Sequence, residues 1–120
     1  MGLLDGKSAV VTGGTKGIGR AITEALLREG ASVTIAARHR DAVTRAIEEL
    51  KKSAADRIHG SVCDVRQPDM VAEMIADAAA AYGGLHILVN NAGVGIFELV
   101  ENLSPEHWQE VIETNLSGMF

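Results

Sequence analysis

Cysteine, aromatic side chains and positive charge are all scarce in this 120-residue chain. A single cysteine, Cys63, cannot close an intrachain disulfide, and with four dispersed histidines it offers no cysteine-rich zinc site. His59, His86 and His107 lack ligand-like spacing and no histidine-carboxylate cluster is visible, so no metal is expected. A reducing cytoplasm is the setting this composition suggests. Basic residues number 11 against 16 acidic ones, a formal charge of −5, and they are scattered. Nucleic acid and anionic membranes bind chiefly to clustered Lys and Arg, and neither is expected as a partner. No apolar run approaches the roughly 18 residues that span a bilayer, and Met1 to Lys7 carries Asp5 and two glycines instead of a secretory apolar core. Aromatics make up 3% of the chain, so the core must be aliphatic. Glycine is what the chain has in excess. There are 13, about 11% against an average of roughly 7%, which implies that the backbone must approach something closely. An aliphatic core with abundant glycine suits an α/β nucleotide binder.

Ser8 to Thr12 (SAVVT) is a short apolar run with β-branched residues, stopped by Gly13 and Gly14, the pattern of a strand buried on both faces. From Gly17 to Glu29, Ile18, Ile22, Ala25 and Leu26 recur at helical spacing, with Gly30 as a C-terminal stop. Ser32 to Ala37 reads as a second strand. Asp41 can cap a helix whose Val43, Ala46, Ile47 and Leu50 face inward. Ile58 to Asp64 gives a third strand. Pro68 and Asp69 open a third helix with Met70, Val71, Met74, Ile75 and Ala78 inward and Gly83-Gly84 beyond it. Leu85 to Asn90 gives a fourth strand, followed by a glycine-containing loop. Ser104 caps a last helix begun by Pro105, with Trp108, Val111, Ile112, Leu116 and Met119 along one face, still running at Phe120. Strands alternating with helices, with no linker between them, require parallel strands and right-handed crossovers. The expected fold is α/β: a Rossmann-type doubly wound sheet of strand order 3-2-1-4, over 1–120 as one dinucleotide-binding domain. Ligands in such sheets bind outside the carboxyl ends of the strands where the order reverses, here at the loops that begin at Gly13 and Asn91.

Thr12-Gly13-Gly14-Thr15-Lys16-Gly17-Ile18-Gly19 lies between a predicted strand and a predicted helix. A turn there needs positive φ, a diphosphate needs a close backbone, and a helix N-terminus supplies unpaired N–H donors. The glycine-x-x-x-glycine-x-glycine spacing differs from G-x-G-x-x-G, and taken alone it is also compatible with a plain tight turn. No G-x-x-x-x-G-K-[ST] is present, which argues against a P-loop nucleoside triphosphatase. Combined with the Asp64-Val65 pair after the third strand and Asn90-Asn91-Ala92-Gly93 after the fourth, this loop resembles the short-chain dehydrogenase/reductase family. The Thr15-Lys16 variant is most similar to the tropinone reductase-like and 3-oxoacyl reductase-like branches. The resemblance implies hydride transfer between a nicotinamide dinucleotide and an alcohol or carbonyl substrate. It places Gly13, Thr15, Lys16, Gly17, Ile18 and Gly19 against the cofactor's phosphates and ribose, and Asp64 and Val65 beside the adenine. Asn91, Ala92 and Gly93 would line the ribose side, with Asn91 also tying the fourth strand to the glycine loop.

An NAD site places Asp or Glu at the end of the second strand to receive the ribose 2′-hydroxyl. This chain reads Ala36-Ala37-Arg38 there. A guanidinium fork suits a 2′-phosphate, and the resemblance puts Lys16 at the same pocket, so NADP(H) is expected ahead of NAD(H). A solvated basic turn through Arg38, His39 and Arg40 is the plainer alternative. Asn115 lies on or beside the apolar face of the last helix, where an unpaired amide is costly. Its Asn115-Leu116-Ser117-Gly118 setting matches the family's catalytic asparagine, which anchors a water in the proton relay. Periodicity alone would favour a structural hydrogen bond. Cys63 reads as a small core residue and Trp108 as a core or subunit-contact residue.

The family's chemistry also needs a serine and a Tyr-x-x-x-Lys pair. The one tyrosine, Tyr82, is followed by Gly83-Gly84-Leu85-His86 and cannot take that role. Ending after the fourth strand's helix would also leave Ile87, Leu88 and Val89 as an apolar sheet edge. The expectation is therefore the cofactor-binding half of a longer reductase, inactive alone, whose complete form acts on an alcohol or ketone and assembles as a dimer or tetramer. The alternative is a noncatalytic half-domain that binds NADP(H) or a protein partner through the fourth strand. An epimerase-type relative is disfavoured by the glycine spacing.

Overall fold

The computed structural model describes residues 2–93 and 102–120. Four parallel strands, β1 (Ser8–Thr12), β2 (Ser32–Ala37), β3 (Ile58–Val62) and β4 (Ile87–Val89), lie in the order β3-β2-β1-β4. Helices α1 (Gly17–Arg28), α2 (Arg40–Ala54) and α3 (Pro68–Tyr82) connect them, and α4 (Pro105–Asn115) follows β4. This is the Rossmann-type doubly wound sheet expected from the alternation of strand and helix.

Side chains of a strand alternate between faces, and the central strands divide the core accordingly. Ala9 and Val11 of β1 join Val33 and Ile35 of β2 in a cluster with Leu27 of α1 and Ala46, Leu50 and Ala54 of α2. Val10 and Ala36 point the other way, onto Met74 and Ala78 of α3 and onto Cys63. Every residue of β1 is buried, which explains why its sequence shows a continuous apolar run without alternation. Aliphatic and alanine side chains fill both layers, so the helices can sit close to the sheet.

Where the structure departs from the sequence expectations, the cause is local. Ile18 is 74% exposed and does not face the core. The buried stripe of α1 runs instead through Gly19, Thr23 and Leu27, with Ile22 and Leu26 packed at its margin. Gly19 sets that phase: a Cβ there would stand 2.1 Å from the Gly13 carbonyl oxygen, so only glycine lets the first turn lie against the loop. Helix α2 begins at Arg40 with His39 at its N-cap, and Asp41 falls in the first turn, where a carboxylate suits the positive end of the helix dipole. Strand β3 ends at Val62, its last partner being Ala37, and β4 keeps only the residues paired with Ala9 to Val11. Ser104 does cap α4, its Oγ accepting the His107 N–H at 3.1 Å.

Helix α4 stops at Asn115 and gives way to a 3-10 turn at Ser117–Met119; it does not continue to Phe120. A Cβ on Gly118 would lie 2.6 Å from Val65 Cγ2, so the chain tightens where its bare backbone meets Val65. Along that apolar face Trp108 is 60% and Leu116 61% exposed while Val111 and Ile112 are half-buried, so Trp108 is not a core residue. The glycine-containing loop after β4 falls largely at 94–101, outside the described residues.

The C-terminus of α1 is closed from a distance. Arg57, in the 3-10 turn after α2, donates through Nη1 to the carbonyls of Leu27 at 3.0 Å and Ala31 at 2.8 Å. A cation is favoured at that end of a helix; the Leu27 carbonyl, which also accepts the Gly30 N–H at 3.1 Å, belongs to the last turn, and Ala31 lies three residues beyond the helix. Arg57→Ala is expected to destabilise the fold by about 1–3 kcal/mol, seen as a lower urea midpoint with unchanged slope. Arg57→Lys should recover part of that loss.

Candidate functional site

Beyond the carboxyl ends of β1 and β4 a groove of about 650 Å³ opens, bounded by all four strand ends and by α4. Gly13, Thr15, Lys16 and Gly17 line it from the loop after β1, and Ala37, Arg38 and His39 from the end of β2. Cys63 and Val65 contribute from the segment after β3, Asn91, Ala92 and Gly93 from that after β4, and Thr114 from α4. Most of the residues singled out in the sequence therefore meet in one place.

Thr12 joins the two loops. Its Oγ1 accepts the backbone N–H groups of Asn91 at 3.0 Å and Ala92 at 3.1 Å, and its hydroxyl donates to the Val89 carbonyl at 3.3 Å. One donor and two acceptor sites are the full capacity of a hydroxyl, and all are used. Asn91 adds the return tie, Nδ2 donating to the Gly13 carbonyl at 3.2 Å, as the family resemblance implied. Gly13 has φ +68, and a Cβ there would stand 3.0 Å from Asn91 Nδ2 and 3.2 Å from Ala92 Cα. Thr12 belongs to the loop motif but is not one of the residues that the sequence marks as cofactor contacts. The available signal was a threonine closing an otherwise apolar buried strand.

The N-terminus of α1 opens toward the same groove. Lys16 is the N-cap, in extended conformation, with no side-chain hydrogen bond to the helix and no acidic residue in the first turn. The first N–H groups of a helix have no intrahelical partner, and here no capping side chain takes them. Gly17 has φ +59 and nothing within 4 Å of where its Cβ would be, so the backbone is bare on that side. Gly19 is buried beneath the loop and Ile18 is exposed outside the groove lining.

Two arginines flank the far end and are held differently. Arg66 grips Asp64, with Nη2 at 2.7 Å and Nε at 3.1 Å from its carboxylate, while the Arg66 backbone N–H donates to Oδ1 at 3.0 Å. The Arg66 hydrogen bond holds the Asp64 carboxyl below its ordinary value of 3.8, against the opposing effect of burial. Asp64 is thus turned to Arg66 and is not among the groove residues, whereas Val65 is. Arg38 has a looser contact, Nη1 standing 3.6 Å from Glu110 Oε1 of α4. The Cys63 thiol is buried and pushed up by desolvation and by neighbouring Asp64, which makes it a packing residue. Asn115 is outside the groove lining, but its Oδ1 lies 3.3 Å from the Cβ position of Gly93, at the groove's edge. Among the described residues no group of three or more His, Cys, Asp or Glu could hold a metal, and no helix is long and apolar enough to cross a membrane.

A family model described as short chain dehydrogenase matches residues 7–120. The chain belongs to the short-chain dehydrogenase family. It is 35% identical over 118 residues to a 3-oxoacyl-[acyl-carrier-protein] reductase of Chlamydia muridarum, covering 98% of this chain and 48% of that protein. It is 36% identical over 118 residues to a tropinone reductase homolog of Arabidopsis thaliana, covering 98% and 44%. Among solved short-chain dehydrogenase structures, an actinorhodin polyketide ketoreductase with NADPH superposes with TM-score 0.91 at 37% identity, over 100% of this chain and 46% of that one. L-sorbose reductase from Gluconobacter frateurii, complexed with NADPH and L-sorbose, gives 0.89 at 36%, over 99% and 45%. The chain thus spans less than half the length of each of these relatives.

Thr12→Val would strip two half-buried N–H groups of their acceptor. A loss of about 1–3 kcal/mol is expected in chemical unfolding, with Thr12→Ser largely neutral by comparison. The Asp64-Arg66 pair carries a pH signature. Because the folded carboxyl titrates below 3.8, its stabilisation is present above that value and is lost as pH falls through the lowered folded value. Asp64→Asn should therefore remove part of the acid limb of a stability-against-pH profile and leave its neutral limb parallel to the parent.

Proposed function

We propose that residues 1–120 are the NADP(H)-binding portion of a short-chain oxidoreductase that transfers hydride between NADP(H) and an alcohol or carbonyl substrate. The observation that carries the reading is one groove bounded both by the uncapped N-terminus of α1 and by Arg38, with Ala36 and Ala37 where an NAD site would carry a carboxylate. Bare backbone at Gly17 and the positive φ of Gly13 and Gly17 suit a diphosphate, which needs close N–H donors and no side chain in the way. Arg38 supplies a planar fork for a 2′-phosphate and Lys16 a second charge lining the same groove. Val65 and Thr114 offer flanking walls for the adenine, and Asn91, Ala92 and Gly93 the ribose side. The NADPH-bound ketoreductase and sorbose reductase, similar over the whole of this chain, support the choice of phosphate-bearing cofactor. When bound, the nicotinamide supplies or takes up the hydride.

Proton exchange with the substrate is assigned elsewhere. Tyr82 sits in α3, its hydroxyl donating to the Asp56 carbonyl at 3.1 Å, and burial and nearby Asp56 push its pKa up. That is opposite to the depressed phenol the family's chemistry needs. Asn115, beside Gly93, is the one residue here that we assign to the catalytic group, as the anchor of a relay water. The exposed Trp108 of α4 and Leu116 just beyond it suit subunit contact in a dimer or tetramer. The test is titration of NADPH and NADH into the full-length protein and its Arg38→Asp variant. The variant should shift preference toward NADH by about tenfold or more; unchanged selectivity would remove Arg38 from the site.

A further inference from the structure

The two arginines at the far end of the groove differ in what remains available to a ligand. Arg66 is held by Asp64 through a forked, short contact at Nε and Nη2. Arg38 has, among the described residues, the 3.6 Å approach of Glu110, longer than a hydrogen bond, with both side chains about one-third exposed, and it lies within charge reach of Asp64, whose oxygens face Arg66. Glu110 lies a helical turn before Thr114, a groove-lining residue of the same helix, so the pair reaches from the end of β2 to α4 across the groove. Glu110 also lies close enough to Arg66 to act on its charge, but that guanidinium is already committed to Asp64.

We infer that Glu110 is a cofactor-selectivity residue: an internal carboxylate that engages the Arg38 guanidinium and must yield it to the cofactor's 2′-phosphate. The inference rests on the reading in which Arg38 receives that phosphate. A carboxylate and a phosphate present the same oxygen edge to a guanidinium, so they compete for it. A phosphate arriving while Glu110 stays in place would meet a like charge within a few ångströms. A cofactor with a 2′-hydroxyl meets neither penalty, because it does not call on Arg38. Glu110 therefore weakens NADPH binding selectively and narrows the discrimination that Arg38 alone would give. The loose geometry is what permits the exchange: a pair as tight as Arg66-Asp64 would not release its arginine.

The experiment is calorimetric titration of NADPH and NADH into the full-length protein, its Glu110→Gln and Arg38→Ala variants, and the double variant. Glu110→Gln should tighten NADPH about two- to fivefold, the scale of an exposed ion pair, and leave NADH unchanged. The gain should shrink as salt is raised and vanish in the Arg38→Ala background. If Arg38→Ala weakens NADPH while Glu110→Gln has no effect, the Glu110 inference fails and the cofactor reading stands. Equal tightening of both cofactors, or a gain that persists without Arg38, would also overturn it, since Glu110 would then act as a general field. An Arg38→Ala variant with unaltered NADPH affinity would overturn the underlying cofactor reading itself.

Discussion

The hydroxyl of Thr12 fixes the geometry on which the groove depends. Two parallel strands whose connections leave in opposite directions have diverging backbones beyond their carboxyl ends, and the peptide groups there lose their ladder partners. Thr12 satisfies the N–H groups of Asn91 and Ala92 from the end of β1, and the Asn91 amide answers by binding the Gly13 carbonyl. The glycine loop and the segment after β4 thereby become one rigid edge. A valine in place of threonine would fill the same volume and leave those donors unpaired, so shape alone does not explain the residue.

Bare backbone completes what that tie begins. Gly13 and Gly19 are in contact across the loop, the helix resting on the Gly13 carbonyl because neither residue carries a side chain between them. The approach determines which face of α1 is buried, and so leaves its first N–H groups aimed where no side chain caps them. The scarcity of aromatics belongs to the same economy of volume. A sheet lined by Ala, Val and Ile accepts helices at close range, as Ala46, Ala54 and Ala78 show against β1 and β2. Close helices keep the four strand ends level around one groove.

Much of this was legible in the chain because burial on both faces leaves a plain mark. SAVVT and SVTIAA are apolar without alternation, and the turn residues after them stop each run abruptly. The strand order and the position of the groove followed from the usual order of a doubly wound sheet, applied to the alternation of strand and helix. What could not be read were features set by contacts distant in sequence. Helical periodicity gave a stripe on α1 but not its phase, which Gly13 and Gly19 decide, and Ile18 fell on the wrong side of that decision. The end of α4 depends on Gly118 meeting Val65, more than fifty positions away. Asp64, which the resemblance puts beside the adenine, has a partner the motif does not announce, the Arg66 side chain two residues on.

Electrostatics at the groove's far end separates support from function. Four charged side chains, Asp64, Arg66, Arg38 and Glu110, form two pairs of unequal strength. The tight pair is local in sequence, multiply hydrogen bonded, and depresses a carboxyl; it stiffens the segment that presents Val65. The loose pair is long-range, about one-third exposed and near 3.6 Å, where solvent screens most of the attraction. A loosely held guanidinium costs little to redirect, and in the proposed cofactor reading Arg38 stands at the end of β2, where a 2′-hydroxyl and a 2′-phosphate would be told apart. On that reading a stronger pair would stabilise the apo fold and weaken the site, so the proposed binding requires the Arg38-Glu110 contact to be weak.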